Sequence, residues 1–331
     1  MPRLKVDIRV PVGLPVPETA DFIAGCEEAG FYGVGVHDHQ HSGRDVYVTL
    51  ALAAERTTTL TLYPATSNPV TRHPMVLASL AHSLEEIAPG RVVSTIAPGF
   101  LSVGNIGHRR ARVQEMREAV STVKGLLAGE TLPFGDTRTR LGNVSRPPTP
   151  VYMTAAGPRM VEVAGEVADG VLLMAGLDPR AAAEARRLLK AGAERAGRDL
   201  TDFPIVFITP IAVDEGDGSA RRWPQGWLSP DRPWLAYPSK SNFYWLRHAG
   251  IDIPDDVRPE QVSDDMASRI CDAFGLFGTE EQCAARLERA VEEAGVEHVF
   301  LFPSHTVKGG YDMPVREVEA FRRAIRPRLG L

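Results

Sequence analysis

Cysteine is scarce in this chain of 331 residues: Cys26, Cys271 and Cys283 are scattered and odd in number, which reads as buried thiols in a reducing cytoplasm. No apolar run approaches the roughly 18 residues that a bilayer span needs. The opening residues, Met-Pro-Arg-Leu-Lys-Val, run straight into a strand pattern with no signal-peptide core. No Lys/Arg run tracks a nucleic-acid backbone, and a formal net charge of −5 gives no reason to expect a polyanionic partner. These absences leave a cytoplasmic globular protein with neither membrane nor nucleic acid as partner. Its 44% hydrophobic and 24% charged content is ordinary for that class. A G-x-G-x-x-G turn after the first strand is also missing. Val10-Pro-Val-Gly-Leu-Pro-Val-Pro stands there instead, which argues against an open doubly wound sheet.

What is present is alternation. Strand-like runs at Leu4–Val10, Tyr32–Val36, Thr59–Ala65, Gly90–Ile96, Val151–Thr154, Val171–Met174, Phe203–Val213 and Glu297–Phe302 are separated by helical patterns. The helices are expected at Glu18–Ala29 (ending at Gly30), Val46–Arg56, Pro74–Ile87, Arg110–Leu127, Pro179–Ala196 and Glu280–Ala294, with one more after Pro158. Eight strands with intervening helices predict a (β/α)8 TIM barrel, read as a single domain over residues 1–331. Two stretches break the rhythm and are read as insertions. Residues 131–149 carry turns at Gly135-Asp136 and Gly142-Asn143. Residues 214–262 hold all four tryptophans and are too aromatic for idle linker. They would form a lid over one mouth, an oligomer contact or a small extra helical layer.

The most informative stretch begins at Pro150. Val151–Thr154 is a short strand, Ala156-Gly157 is a turn with almost no side chain, and Pro158 suits a first helical position. Met160, Val161, Val163, Ala164, Val167 and Ala168 then form an apolar face opposite Arg159, Glu162 and Glu166. A glycine turn feeding a helix N-terminus suits a phosphate, though it also serves as a plain βα connection. His37-Asp-His-Gln-His41 places three of the nine histidines after the second strand, at what would be the C-terminal mouth. Extended spacing could present His37, His39 and His41 to a metal, but strands five and six end with no ligand-type residue, so no metal is assigned. The other readings are a proton-handling histidine beside Asp38, or exposed histidines with Asp38 capping the next segment. Prolines bracketing Ala65-Thr66-Ser67-Asn68 interrupt the third strand and suit a bulge aimed into the mouth.

Six motifs together carry a family resemblance: Gly35-Val-His-Asp-His39, Thr66-Ser-Asn-Pro-Val-Thr-Arg-His-Pro74, Gly90-Arg-Val, Ala155-Ala-Gly-Pro158, Ala164-Gly-Glu-Val-Ala-Asp-Gly170 and Gly278-Thr-Glu-Glu-Gln-Cys283. In that order and spacing the chain resembles the bacterial-luciferase-like flavin and deazaflavin oxidoreductases, in particular their methylenetetrahydromethanopterin-reductase branch. The resemblance implies a barrel whose mouth holds coenzyme F420, or FMN as the alternative, and a homodimer acting on a small-molecule substrate. It implies that Ala65 and Thr66 press on the back of the ring, Asp38 and His39 lie near its reactive face, and Pro98 and Gly99 line its edge. Ala156, Gly157 and Pro158, with Ala175 and Gly176, would hold the tail phosphate. Departures are also visible. Phe100 stands where several relatives carry an acid/base Glu, Thr95-Ile-Ala-Pro-Gly99 replaces a glycine-rich turn, Gly43 replaces a Trp, and Leu177 replaces a phosphosugar-binding Lys. Acid/base work would then fall to His39, His41 or solvent. The function implied is F420-dependent hydride transfer to or from an activated C=C, C=N or C=O. An FMN-dependent monooxygenase and a non-catalytic flavin-binding barrel are the alternatives.

Overall fold

Eight short apolar runs become the strands β1 (Lys5–Val10), β2 (Gly33–Val36), β3 (Thr61–Pro64), β4 (Ser94–Ile96), β5 (Val151–Ala155), β6 (Gly170–Leu173), β7 (Ile205–Val213) and β8 (His298–Pro303) in a computed structural model that describes residues 4–331. All pair in parallel, in the ring order β3-β2-β1-β8-β7-β6-β5-β4. Parallel bridges Leu62↔Val92 and Ser67↔Ile96 draw β3 and β4 together, so the barrel is nearly closed. β2 and β6 are buried at every position, because a parallel sheet is covered on both faces.

The helices begin and end where local chemistry tells them to. Asp45 accepts from the Tyr47 and Val48 amides and starts α2 (Val46–Arg56), after α1 (Val16–Ala29) has closed on Gly30 at φ 95°. His73 and Pro74 start α3 (Pro74–Ile87). After a single helical turn at Leu101–Gly104, the next long helix, α4 (Val113–Leu127), starts three residues later than the pattern suggested. The Ala111 amide donates to Pro98 O at 2.8 Å, which holds residues 110–112 extended along the mouth. Pro158 opens α5 (Pro158–Val167), Asp178 caps α6 (Pro179–Arg195), and a Thr279/Gln282 capping box starts α7 (Glu280–Ala294).

Residues 131–149 contain a small hairpin, Leu132–Phe134 against Thr137–Thr139. Residues 214–262 contain a turn at Ala220–Gln225, a second hairpin and a helix, Ser241–His248. Trp223, Trp234 and Trp245 are buried against the main core, so the segment is packed rather than draped. Sequence reading missed helix Ser241–His248, the C-terminal helical segment that begins at Val315, and one further unit: helix Asp264–Phe274 leads into Leu276–Gly278, which pairs beside the far end of β7 and adds a ninth strand outside the ring. Ser263 before two aspartates and an amphipathic run was the available signal. Among the described residues, no helix is long and apolar enough to cross a membrane.

Inside the barrel, Tyr63, Leu172, Val206, Ile208 and Phe300 form a separate packed layer. The polar member of that layer, Asp7, accepts from Tyr63 OH at 2.7 Å and pairs with His298 Nε2 at 2.9 Å. This plug is the floor of the site above it.

Candidate functional site

A cavity of about 340 Å³ opens at the C-terminal ends of the strands, roofed in part by Tyr237, Pro238 and Ser239 from the 214–262 segment. Its wall contains seven of the residues named from sequence: Asp38, Ala65, Thr66, Pro98, Gly99, Ala156 and Gly157. Ala65 and Thr66 are joined by a cis peptide bond at the end of β3. Gly99 takes φ +86°, and a Cβ there would lie 2.2 Å from Val103 Cγ2, so the β4 edge requires glycine.

On the β5 side the wall is mainly backbone. The turn Ala156-Gly157 leads into α5, where Pro158 has no N–H and the Met160 and Val161 amides donate to Gly157 O at 2.9 and 3.0 Å, which leaves Arg159 as the first-turn amide without a backbone acceptor. Thr154 Oγ1 faces the same cavity and is buried without a partner. The Trp245 Nε1–H donates to Ala156 O at 2.6 Å and ties the roof segment to this turn. An orphaned hydroxyl, a side-chain-free turn and a helix N-terminus fit a phosphate, and the neighbouring apolar slot fits a flat ring.

On the β1 and β2 side the wall is made of charged and aromatic side chains. Asp38 Oδ2 accepts from Ser67 Oγ at 2.6 Å, and its carboxylate takes both Arg72 Nε (3.3 Å) and Nη2 (3.2 Å). Arg72 also reaches Asp45 at 2.8 Å, and Tyr47 OH meets Ser67 Oγ at 3.0 Å. Asp38 is therefore a neutralised anchor in a buried network. Burial alone would raise Asp45, but Arg72 and two capping amides hold it below the usual carboxylate range.

His37, not His39, lines the cavity. Arg9 Nη2 donates to His37 Nδ1 at 3.0 Å; the ring accepts there and is neutral, its proton on Nε2. Burial, Arg9, His39 and His305 all push its basicity well down. His39 lies behind it, ring centroids 5.0 Å apart, and is itself buried. Asn105 Nδ2 donates to His39 Nε2 at 3.0 Å, so the ring proton is assigned to Nδ1, toward the Tyr311 hydroxyl. Burial first, then His41 and Arg9, lower its pKa. His41 sits exposed in the short turn Gln40–Ser42. With His37 Nδ1 and both His39 nitrogens engaged by protein groups, the trio is not arranged as a ligand set. Among the described residues no group of three or more His, Cys, Asp or Glu is placed to hold a metal.

Pro158, Ala175 and Gly176 also lie off the wall. Pro158 is the first residue of α5, just behind Gly157. The Ala175-Gly176 turn packs on helix Asp264–Phe274: Leu177 N donates to Ala273 O at 2.7 Å, and a Cβ at Gly176 would come within 2.6 Å of that same oxygen. Phe100, in place of the expected acid, forms an aromatic shelf, with Arg110 and Arg232 Cζ at 4.3 and 4.8 Å from its ring centroid. Sequence reading missed Arg9, Arg110 and Tyr237. The signal for Arg9 was a period-two pair, Asp7 and Arg9, in an otherwise apolar strand, which places both inside the barrel.

Known proteins give this site a context. The family described as luciferase-like monooxygenase matches residues 5–298. The chain is 29% identical over 296 residues to 5,10-methylenetetrahydromethanopterin reductase of Methanolobus tindarius, covering 84% of this chain and 88% of that protein. It is 28% identical over 308 residues to F420-dependent glucose-6-phosphate dehydrogenase of Nakamurella multipartita, covering 87% of each. The coenzyme F420-dependent tetrahydromethanopterin reductase of Methanopyrus kandleri has the same fold, with a TM-score of 0.73 at 22% identity over 99% of both chains. The chain therefore belongs to the luciferase-like monooxygenase family and is an oxidoreductase of that flavin- and F420-using group.

Proposed function

We propose that this protein is an F420-dependent oxidoreductase acting on a small organic molecule with an activated C=C, C=N or C=O bond. The observation that carries the reading is the β5 turn, where Thr154 Oγ1, Ala156 and Gly157 offer an anchor for a phosphate beside a flat apolar slot. The names of the relatives supply the choice of deazaflavin over FMN.

When bound, the deazaflavin supplies a two-electron hydride carrier. The chain's own residues do the rest. The β5 turn would hold the phosphate, and Ala65–Thr66 and Pro98–Gly99 would confine a ring between β3 and β4. Phe300, Phe302 and Tyr237 exclude water from the reacting side, since all three line the cavity. Fixing donor and acceptor near contact distance is worth roughly 7–11 kcal/mol of barrier. His39 keeps the acid/base role in this reading; the hydrogen bond that would carry its proton runs from Nδ1 to the Tyr311 hydroxyl, because it meets His37 only as a stacked ring.

Titration of the purified protein with F420 and with FMN, followed by tryptophan fluorescence, tests the reading, because Trp245 is bonded to the turn itself. Micromolar or tighter binding of F420 alone is expected. A Cβ at Gly157 would already approach Ser241 Oγ at 3.0 Å, and the larger Gly157→Val side chain projects where the phosphate would lie. That variant should bind on the order of 10²-fold more weakly, about 2.7 kcal/mol. Preference for FMN, with oxygen consumed during turnover, would replace this reading by the monooxygenase, and binding of neither would leave a barrel without a redox cofactor.

A further inference from the structure

We infer that the wall opposite the phosphate turn binds a carboxylate on Arg9, so the substrate of this site is a small organic acid. The inference rests on the proposed oxidoreductase reading for the identity of the ligand as substrate, and on the structure of the cavity for the subsite itself.

Arg9 is 2% exposed and lines the cavity at the end of β1. Its Nη2 donates to Gly310 O at 2.8 Å and to His37 Nδ1 at 3.0 Å. Its Nε is buried with no partner. No carboxylate among the described residues forms an ion pair with it. Asp38 is committed to Arg72 and Ser67, and Asp7, one layer down, meets Tyr63 and His298 through Oδ2 and keeps a buried, unpartnered Oδ1 that forms no ion pair with Arg9. Burial lowers its pKa to about 10, so the guanidinium is still charged at neutral pH. A buried cation with unused donors and no counter-ion is costly unless something from outside completes it.

The guanidinium is also held in place. Its Cζ lies 5.0 Å from the centroid of the Phe302 ring, and the two Nη2 bonds fix its plane. With both Nη2 hydrogens given to Gly310 O and His37 Nδ1 and with Nε enclosed, the charged donor left for a ligand is Nη1, which can take one oxygen of a carboxylate. In the eight-strand ring β1 lies opposite β5, so this subsite is separate from the turn proposed for the cofactor phosphate. The wall beside it is apolar, with Phe300, Phe302, Leu172 and Ile208. The chemistry that fits is a carboxylate at one end of a compact unsaturated or aromatic body.

Benzoate and benzamide, nearly equal in shape and differing in charge, make the test by isothermal titration calorimetry on the purified protein. Benzoate should bind at least about tenfold more tightly than benzamide. Arg9→Met should abolish that preference, and Arg9→Lys, which keeps one charged donor on a shorter, freely rotating head, should retain part of it. F420 titration of the same preparations separates the two ideas. Lost F420 binding with an intact benzoate preference sinks the cofactor reading and leaves the Arg9 subsite standing. Equal binding of benzoate and benzamide by the wild type overturns the subsite even if neither variant folds. So does a preference that survives in Arg9→Met, or an Arg9→Met defect confined to F420.

Discussion

At the β5 rim of the barrel mouth the wall is a glycine turn, a helix N-terminus and one unpartnered hydroxyl; at the β1 and β2 rim it is a packed set of side chains. The first is made within a few residues, Thr154 to Pro158. The second joins groups far apart in sequence: Arg9 to His37 and Gly310, His39 to Asn105 and Tyr311, Asp38 to Ser67 and Arg72. A backbone cradle reads shape and one kind of charge, so it suits a cofactor group shared across a family. A side-chain wall can change residue by residue, so it suits the substrate.

The comparison predicts unequal sensitivity to mutation, and the charged side should break hardest. Arg72→Met leaves Asp38, 1% exposed, without its cationic partner, and removes the link to Asp45. Removing one member of a buried pair costs about 3 kcal/mol even when hydrogen bonds such as that from Ser67 remain. Urea unfolding should show this loss as a lower midpoint with an unchanged slope. A variant as stable as the wild type would mean that the Asp38 network is not a structural anchor.

Acid should sharpen the same contrast. Burial holds His37, His39 and His305 below the ordinary histidine range, His305 to about 4. The folded state then binds fewer protons than the unfolded one as pH falls below 6.5, so the stability these rings confer is complete above 6.5 and lost as pH falls toward 4. Each such ring contributes a slope of up to about 1.4 kcal/mol per pH unit. Glu317, raised by burial, acts in the opposite sense, so the useful quantity is the difference between proteins. His305→Phe keeps an aromatic ring against Trp234 and Phe302 and should flatten the decline between pH 6.5 and 4. An unchanged slope would mean that His305 protonates freely in the folded protein.

How legible each rim was follows from the same difference. The eight strands, the starts of the helices at Val46, Pro74, Pro179 and Glu280 and the β5 turn were all readable, because each is set by local periodicity, a capping residue or a glycine. The Asp38 position was readable as part of a motif. Its partnership with Arg72 was not, although both residues were in view. Arg9 was passed over because its meaning depends on the absence of an acid nearby, a property of the folded neighbourhood. His39 was named for its position beside Asp38, while the structure puts its neighbour His37 on the cavity wall. Strand alternation distinguishes inside from outside, but it does not say which of two inward residues reaches the mouth.

The smallest expected effect lies on the backbone side, where among the described residues Trp245 is the one side chain bonded to Ala156 O. Trp245→Phe removes the Nε1–H donor and keeps most of the buried ring. The lost bond and the unsatisfied carbonyl together should cost about 1 kcal/mol of stability. If that bond positions the turn, F420 affinity should fall several-fold in addition, measured by equilibrium dialysis because the reporting tryptophan is gone. If α5 and the β5–β6 pairing already fix the turn, stability should fall while affinity stays at the wild-type value. The second outcome would complete the contrast between the rims: a phosphate site held by backbone alone, facing a substrate wall in which every side chain depends on another.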